Sequence, residues 1–94
     1  MDESLAQAAI DLSGRPVIEF EADFPRDSVG ELSTEMVRHF FASLSQSLGA
    51  AIHLQVSGDN THHMVEGLFK AAGRALRPAL ARQGTEMPST KGML

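Results

Sequence analysis

The stretch VIEFEADF, residues 17–24, sets Ile18, Phe20, Ala22 and Phe24 against Glu19, Glu21 and Asp23 in strict alternation. A period of two is the signature of a β-strand with one buried and one polar face. Downstream the period changes. Met36, Val37, Phe40, Phe41, Leu44 and Leu48 recur at three- and four-residue spacing, which predicts an amphipathic helix of about four turns. Ser33 or Thr34 is available as its cap and Gly49 as its stop. Alternation returns in AAIHLQV, with Ile52, Leu54 and Val56 on one side and His53 and Gln55 on the other. A second helix is predicted from about His62 to Ala81, with Asn60 or Thr61 as its N-cap and Met64, Val65, Leu68, Phe69, Ala72 and Leu76 as its apolar positions. Upstream, LAQAAIDL followed by SGRP predicts a first strand joined to VIEFEADF in a β-hairpin. PRDSVGE reads as a loop, and RQGTEMPSTKGML as a loop-like tail.

The order strand, strand, helix, strand, helix belongs to an α+β layer. The expected fold is a three- to four-stranded, mainly antiparallel sheet with two helices packed on one face. At 94 residues the chain suffices for a single domain, 1–94, with a modest core. A half-wet sheet in so short a chain is often covered by a second copy or another domain. The net charge of −4 supplies no basic field for a phosphate backbone, so no nucleic-acid partner is expected. With no cysteine, any metal must be held by His, carboxylates and water. The opening MDESLAQAAIDLSGRP has neither a basic leader nor a long apolar run, so no membrane partner and a cytoplasmic location are expected.

The stretch NTHHMVEGLFK carries the chemistry. Residues i and i+4 on a helix lie within roughly 40° of each other, so His62 and Glu66 can grip one ion. His63 is turned by about 100° from His62, so a ligating His63 would serve a different ion. The positive end of the helix dipole tolerates an ionised Glu and neutral imidazoles, whose ring nitrogens stay free to ligate. Lys70 continues the Glu66 stripe, either as its ion-pair partner or reaching toward an anionic substrate. The plain alternative is a solvated helix face, which a lone H-x-x-x-E most commonly is. His39 by itself reads as a surface histidine and His53 as a partly exposed residue of the sheet face. Neither a Ser/His/Asp signature nor a glycine-rich phosphate loop is present.

HHMVEGLFKAAGRAL, together with MDESLAQAAIDLSGRP, VRHFFASL, AIHLQV and PSTKG, resembles imidazoleglycerol-phosphate dehydratase over nearly the whole chain. In that family two similar α+β halves, of the ribosomal protein S5 domain 2-like kind, each carry an HHxxE motif, and this chain looks like the second half. The resemblance implies a manganese-dependent carbon–oxygen lyase of L-histidine biosynthesis. It would convert imidazole glycerol phosphate to imidazole acetol phosphate, with two Mn²⁺ per complete site, in a large homo-oligomer with sites between subunits. By that match the metal ligands are His39, His62, His63 and Glu66. His62 and Glu66 would share one ion, and His63 and His39 the other, each ion being completed by a first half on a neighbouring subunit. Arg15, Lys70, Ser89 and Lys91 match positions at or near the substrate phosphate, where Arg gives a forked clamp and Lys a point charge. The main proton-transfer carboxylate is expected in the first half. Asp2 and Glu3 fall near the site without an assigned role, and the turn SGDN is one residue shorter than the family pattern. The expectation is little or no turnover by this chain alone, its alternative role being a non-catalytic, metal-bridged assembly half-domain.

Overall fold

The computed structural model describes residues 4–84. Its elements are β1 (Leu5–Asp11), β2 (Val17–Glu21), β3 (Ser28–Val29), β4 (Leu32–Ser33), α1 (Thr34–Leu48), β5 (Ala51–Ser57) and α2 (Thr61–Gly84). The α+β class holds, with a three-stranded sheet ordered β1-β5-β2 and a separate two-stranded ribbon of β3 and β4.

The pairing within the sheet differs from the expected hairpin. β1 runs antiparallel to β5, Leu5 opposite Ser57 and Asp11 opposite Ala51, whereas β2 runs parallel to β5, Val17 beside Ala51 and Glu21 beside Gln55. The sheet is therefore mixed, and β1 and β2 never pair. Two causes account for this. Ile52, Leu54 and Val56 make β5 the most apolar strand, and all three are buried, so β5 takes the centre and leaves the edges to alanine-rich β1 and glutamate-bearing β2. The link from β2 to β5 also contains α1, and a helical crossover is what parallel neighbours require.

The SGRP segment is held by the following α1–β5 turn. Gly14 N–H donates to Gly49 O at 2.7 Å, and Val17 N–H to Ala50 O at 3.2 Å. Gly49 ends α1 in the left-handed region at φ 63°, and a Cβ there would stand 3.4 Å from Gly14 Cα. Ser45, buried in the last turns of α1, points its hydroxyl between Ala50 O at 2.6 Å and Val17 O at 3.1 Å. One side chain thus ties α1 to both β2 and the start of β5.

Both helices cover the same face of the sheet. Ile10 from β1 and Ile52, Leu54 and Val56 from β5 meet Val37 and Phe41 of α1 and Met64, Val65, Leu68 and Ala72 of α2. The opposite face presents Gln7, Glu19, Glu21, His53 and Gln55 to solvent, as the alternation predicts. β2 stops at Glu21, short of the expected Phe24, yet Phe24 still packs against the core beside Phe20, with ring centroids 6.5 Å apart. α2 continues past Ala81 to Gly84, so the start of the expected loop-like tail is helical. No helix among the described residues is long and apolar enough to cross a membrane.

Candidate metal centre

Three polar contacts fix the start of α2. Asn60 is its N-cap, the side-chain Oδ1 accepting from His63 N–H at 3.0 Å. Met64 N–H donates to Asn60 O at 2.9 Å. The buried Thr61 Oγ1 accepts from Arg26 N–H at 3.0 Å and pins the loop after β2 against the helix end. α1 is set similarly, Ser33 Oγ accepting from Glu35 N–H at 3.1 Å and Thr34 Oγ1 donating to Asp27 O at 3.1 Å.

On this first turn His62 Nε2 lies 4.0 Å from Glu66 Oε1, and both side chains are open to solvent. Two donors on one borderline ion, each about 2.1 Å from it, stand about 3 Å apart at a right angle and about 4 Å apart when opposed. At 4.0 Å the pair is at the opposed limit, and gripping one ion side by side requires these exposed side chains to close by about 1 Å. The His63 ring is 5.9 Å from the His62 ring, tilted by 47°, and His63 is half-buried. His39 is exposed on α1. The described residues hold no cluster of three or more His, Asp or Glu side chains that could take one ion. The fold thus brings His62 and Glu66 together but not His39 with them.

The expected phosphate-binding residues are dispersed. Lys70, one turn beyond Glu66, lines a groove with Arg74, Ser4, Ala6 and Gly67, where α2 passes the start of β1. Arg15 follows the other end of β1, a strand whose seven residues span about 20 Å. Arg15 and Lys70 are therefore not neighbours within one chain. Ser89, Lys91, Asp2 and Glu3 lie outside the described residues. Two cations went unnoticed in the sequence. Arg74 lies four residues after Lys70, a spacing that could have revealed it. Arg26 lines a concavity with Asp59 and His62, and no local pattern announces it.

Residues 1–76 match the imidazoleglycerol-phosphate dehydratase family. The chain belongs to that family. It is 62% identical over all 94 residues to the histidine biosynthesis bifunctional protein HisB of Stenotrophomonas maltophilia strain K279a, covering 26% of that protein. Identity to HisB of Legionella pneumophila strain Philadelphia 1 is 55% over 94 residues, covering 27% of it. The fold superposes on the crystal structure of imidazoleglycerol-phosphate dehydratase from Staphylococcus aureus subsp. aureus N315 with a TM-score of 0.78 and 42% identity, covering 81% of this chain and 45% of that one. For the Pyrococcus furiosus enzyme in complex with (S)-C348, the TM-score is 0.74 at 35% identity, covering 82% of this chain and 44% of that one. The chain spans about a quarter of the HisB relatives and less than half of either solved dehydratase chain.

Proposed function

We propose that this chain supplies the second half of a metal-dependent active site that dehydrates imidazole glycerol phosphate to imidazole acetol phosphate in L-histidine biosynthesis. The observation that carries this reading is the His62–Glu66 pair, 4.0 Å apart on the capped first turn of α2, in a chain that belongs to the dehydratase family. His39, His62, His63 and Glu66 are the proposed ligands. Their lack of thiolate favours Mn²⁺, with two ions per complete site and the remaining ligands coming from a first half. The family setting further points to a cytoplasmic homo-oligomer.

The metals would act as Lewis acids on the substrate imidazole while the side chains fix the rest of the molecule. Lys70 places a positive charge one turn from Glu66, where it holds the phosphate end of the substrate and aligns the leaving hydroxyl. Arg15, Ser89 and Lys91 would complete the phosphate grip. The length of β1 between Arg15 and Lys70 supports a grip that would be assembled between subunits. The reaction removes one hydrogen and one hydroxyl as water, and the resulting enol rearranges to the ketone. A first-half carboxylate moves the proton.

The test adds a separately produced first half and Mn²⁺, then follows formation of imidazole acetol phosphate. Turnover should appear only with both halves and vanish with His62→Ala. No rescue by a folded first half would leave the metal-bridged assembly role instead.

A further inference from the structure

Gly58 sits where three segments meet. It follows the last residue of β5 and leads into α2, whose first turns carry His62, His63 and Glu66. A Cβ built on it would stand 2.7 Å from Ser4 Cβ, 3.1 Å from Ser4 Cα and 3.1 Å from Met64 Cγ. Non-bonded carbons rest at about 3.5–4.0 Å, so the position has room for hydrogen only. Gly58 does not share the positive φ of Gly14, Gly30 and Gly49. The demand for glycine is therefore steric and not conformational.

Neither neighbour is free to step aside. Ser4 runs directly into Leu5, which pairs with Ser57, the residue just before Gly58. Met64 is 1% exposed in the core, and its N–H donates to Asn60 O at 2.9 Å. It is also the residue after His63, in the same helical turn. Further along, Gly67 follows Glu66 and faces β1, where a Cβ would lie 3.4 Å from Ala6 Cβ. The turns of α2 that bear the proposed ligands are thus seated on the start of β1 at two points, and the one at Gly58 excludes even a methyl group.

We infer that Gly58 is a positioning residue for His62 and His63: its missing side chain lets the lead into β1 and the first turn of α2 close on each other, and that closure sets the direction of both imidazoles. A methyl group here acts as a wedge. It pushes Ser4 and Met64 apart, and the shift of Met64 passes to the histidines beside it through the shared turn. Functional side chains tolerate displacements of only about 0.5 Å. The consequence for metal binding rests on the dehydratase reading, whereas the placement of the two rings does not.

The test places Gly58→Ala in the full chain and reads two quantities. The first needs no metal. The chain has four histidines, and in a proton–carbon correlation spectrum recorded in chelator the ring signals of His62 and His63 should shift while those of His39 and His53 stay. The second is Mn²⁺ affinity, expected to fall by about tenfold, the lower end of the loss caused by residues that orient metal ligands. Adding Ser4→Gly removes the 2.7 Å contact and should recover part of both. Lost stability alone would not give this pattern: Ser45→Ala, at the other end of β5, should lower the melting midpoint and leave the His62 and His63 signals in place. If Gly58→Ala does not fold, the double variant replaces it, and its remaining 3.1 Å contact with Met64 should still move the two signals. Unmoved His62 and His63 signals in the folded variant overturn the inference. So does an unchanged Mn²⁺ affinity in a chain where His62→Ala abolishes binding. An affinity indifferent to His62→Ala sinks the metal reading instead, and the ring signals then decide the placement.

Discussion

His62 Nε2 and Glu66 Oε1 stand 4.0 Å apart across one turn of α2. Both side chains are exposed, so the bare contact contributes little stability. In the proposed dehydratase site the two side chains would instead be ligands of one cation. His62→Ala should weaken Mn²⁺ binding by more than about tenfold, since even supporting residues around metal ligands cost 10–100-fold when lost. Electron paramagnetic resonance of free Mn²⁺ reads this directly. His53→Ala, on the open sheet face, should leave the affinity as it is, and an equal loss there would mean that the metal sits elsewhere.

Asn60→Ala reaches the same site indirectly. The Asn60 side chain accepts from His63 N–H at 3.0 Å, and losing an N-cap costs about 1 kcal/mol. The first turn of α2 carries both histidines, so fraying it would spend binding energy on reordering the proposed ligands. Urea unfolding should show a lower midpoint, and Mn²⁺ affinity should fall by a few-fold. Asn60→Asp keeps the acceptor and should restore the stability.

Ser45→Ala tests the tie between α1 and the sheet. The buried hydroxyl lies 2.6 Å from Ala50 O and 3.1 Å from Val17 O; Ala50 O keeps the Val17 N–H, so removing the hydroxyl costs about 1 kcal/mol, the net worth of one hydrogen bond. In a domain of this size each kcal/mol moves the melting midpoint by about 4–8 °C. Thermal unfolding followed by circular dichroism should show a drop in that range. An unchanged midpoint would mean that water replaces the hydroxyl.

The alternation of VIEFEADF and AAIHLQV identified two strands and their buried faces, because burial acts residue by residue along one element. Which strands become neighbours is decided by competition among all of them. SGRP has the composition of a tight turn, yet Gly14 bonds to Gly49, and β5 enters between β1 and β2. The β3–β4 ribbon escaped notice because two-residue strands carry no period. Likewise, His62 and Glu66 were legible as a pair because helical geometry is local. The distance between Arg15 and Lys70 was not, since it depends on the direction of β1, which lies between them.

Lys70 and Arg74 line one groove, and their spacing sets two positive charges on adjacent turns of α2. Like charges at this spacing disfavour the helix slightly, so an anion between them relieves a cost as well as gaining contacts. In the complemented dehydratase, Lys70→Ala should raise KM by about tenfold or more with a smaller effect on kcat, as expected where binding is uniform between substrate and transition state. Inorganic phosphate should inhibit the variant less than the parent by a similar factor. Lys70→Arg keeps the charge but replaces a point donor with a fork, and should recover part of the loss. A Lys70→Ala variant that loses kcat with KM intact would instead place the lysine at the reacting centre and move the phosphate elsewhere.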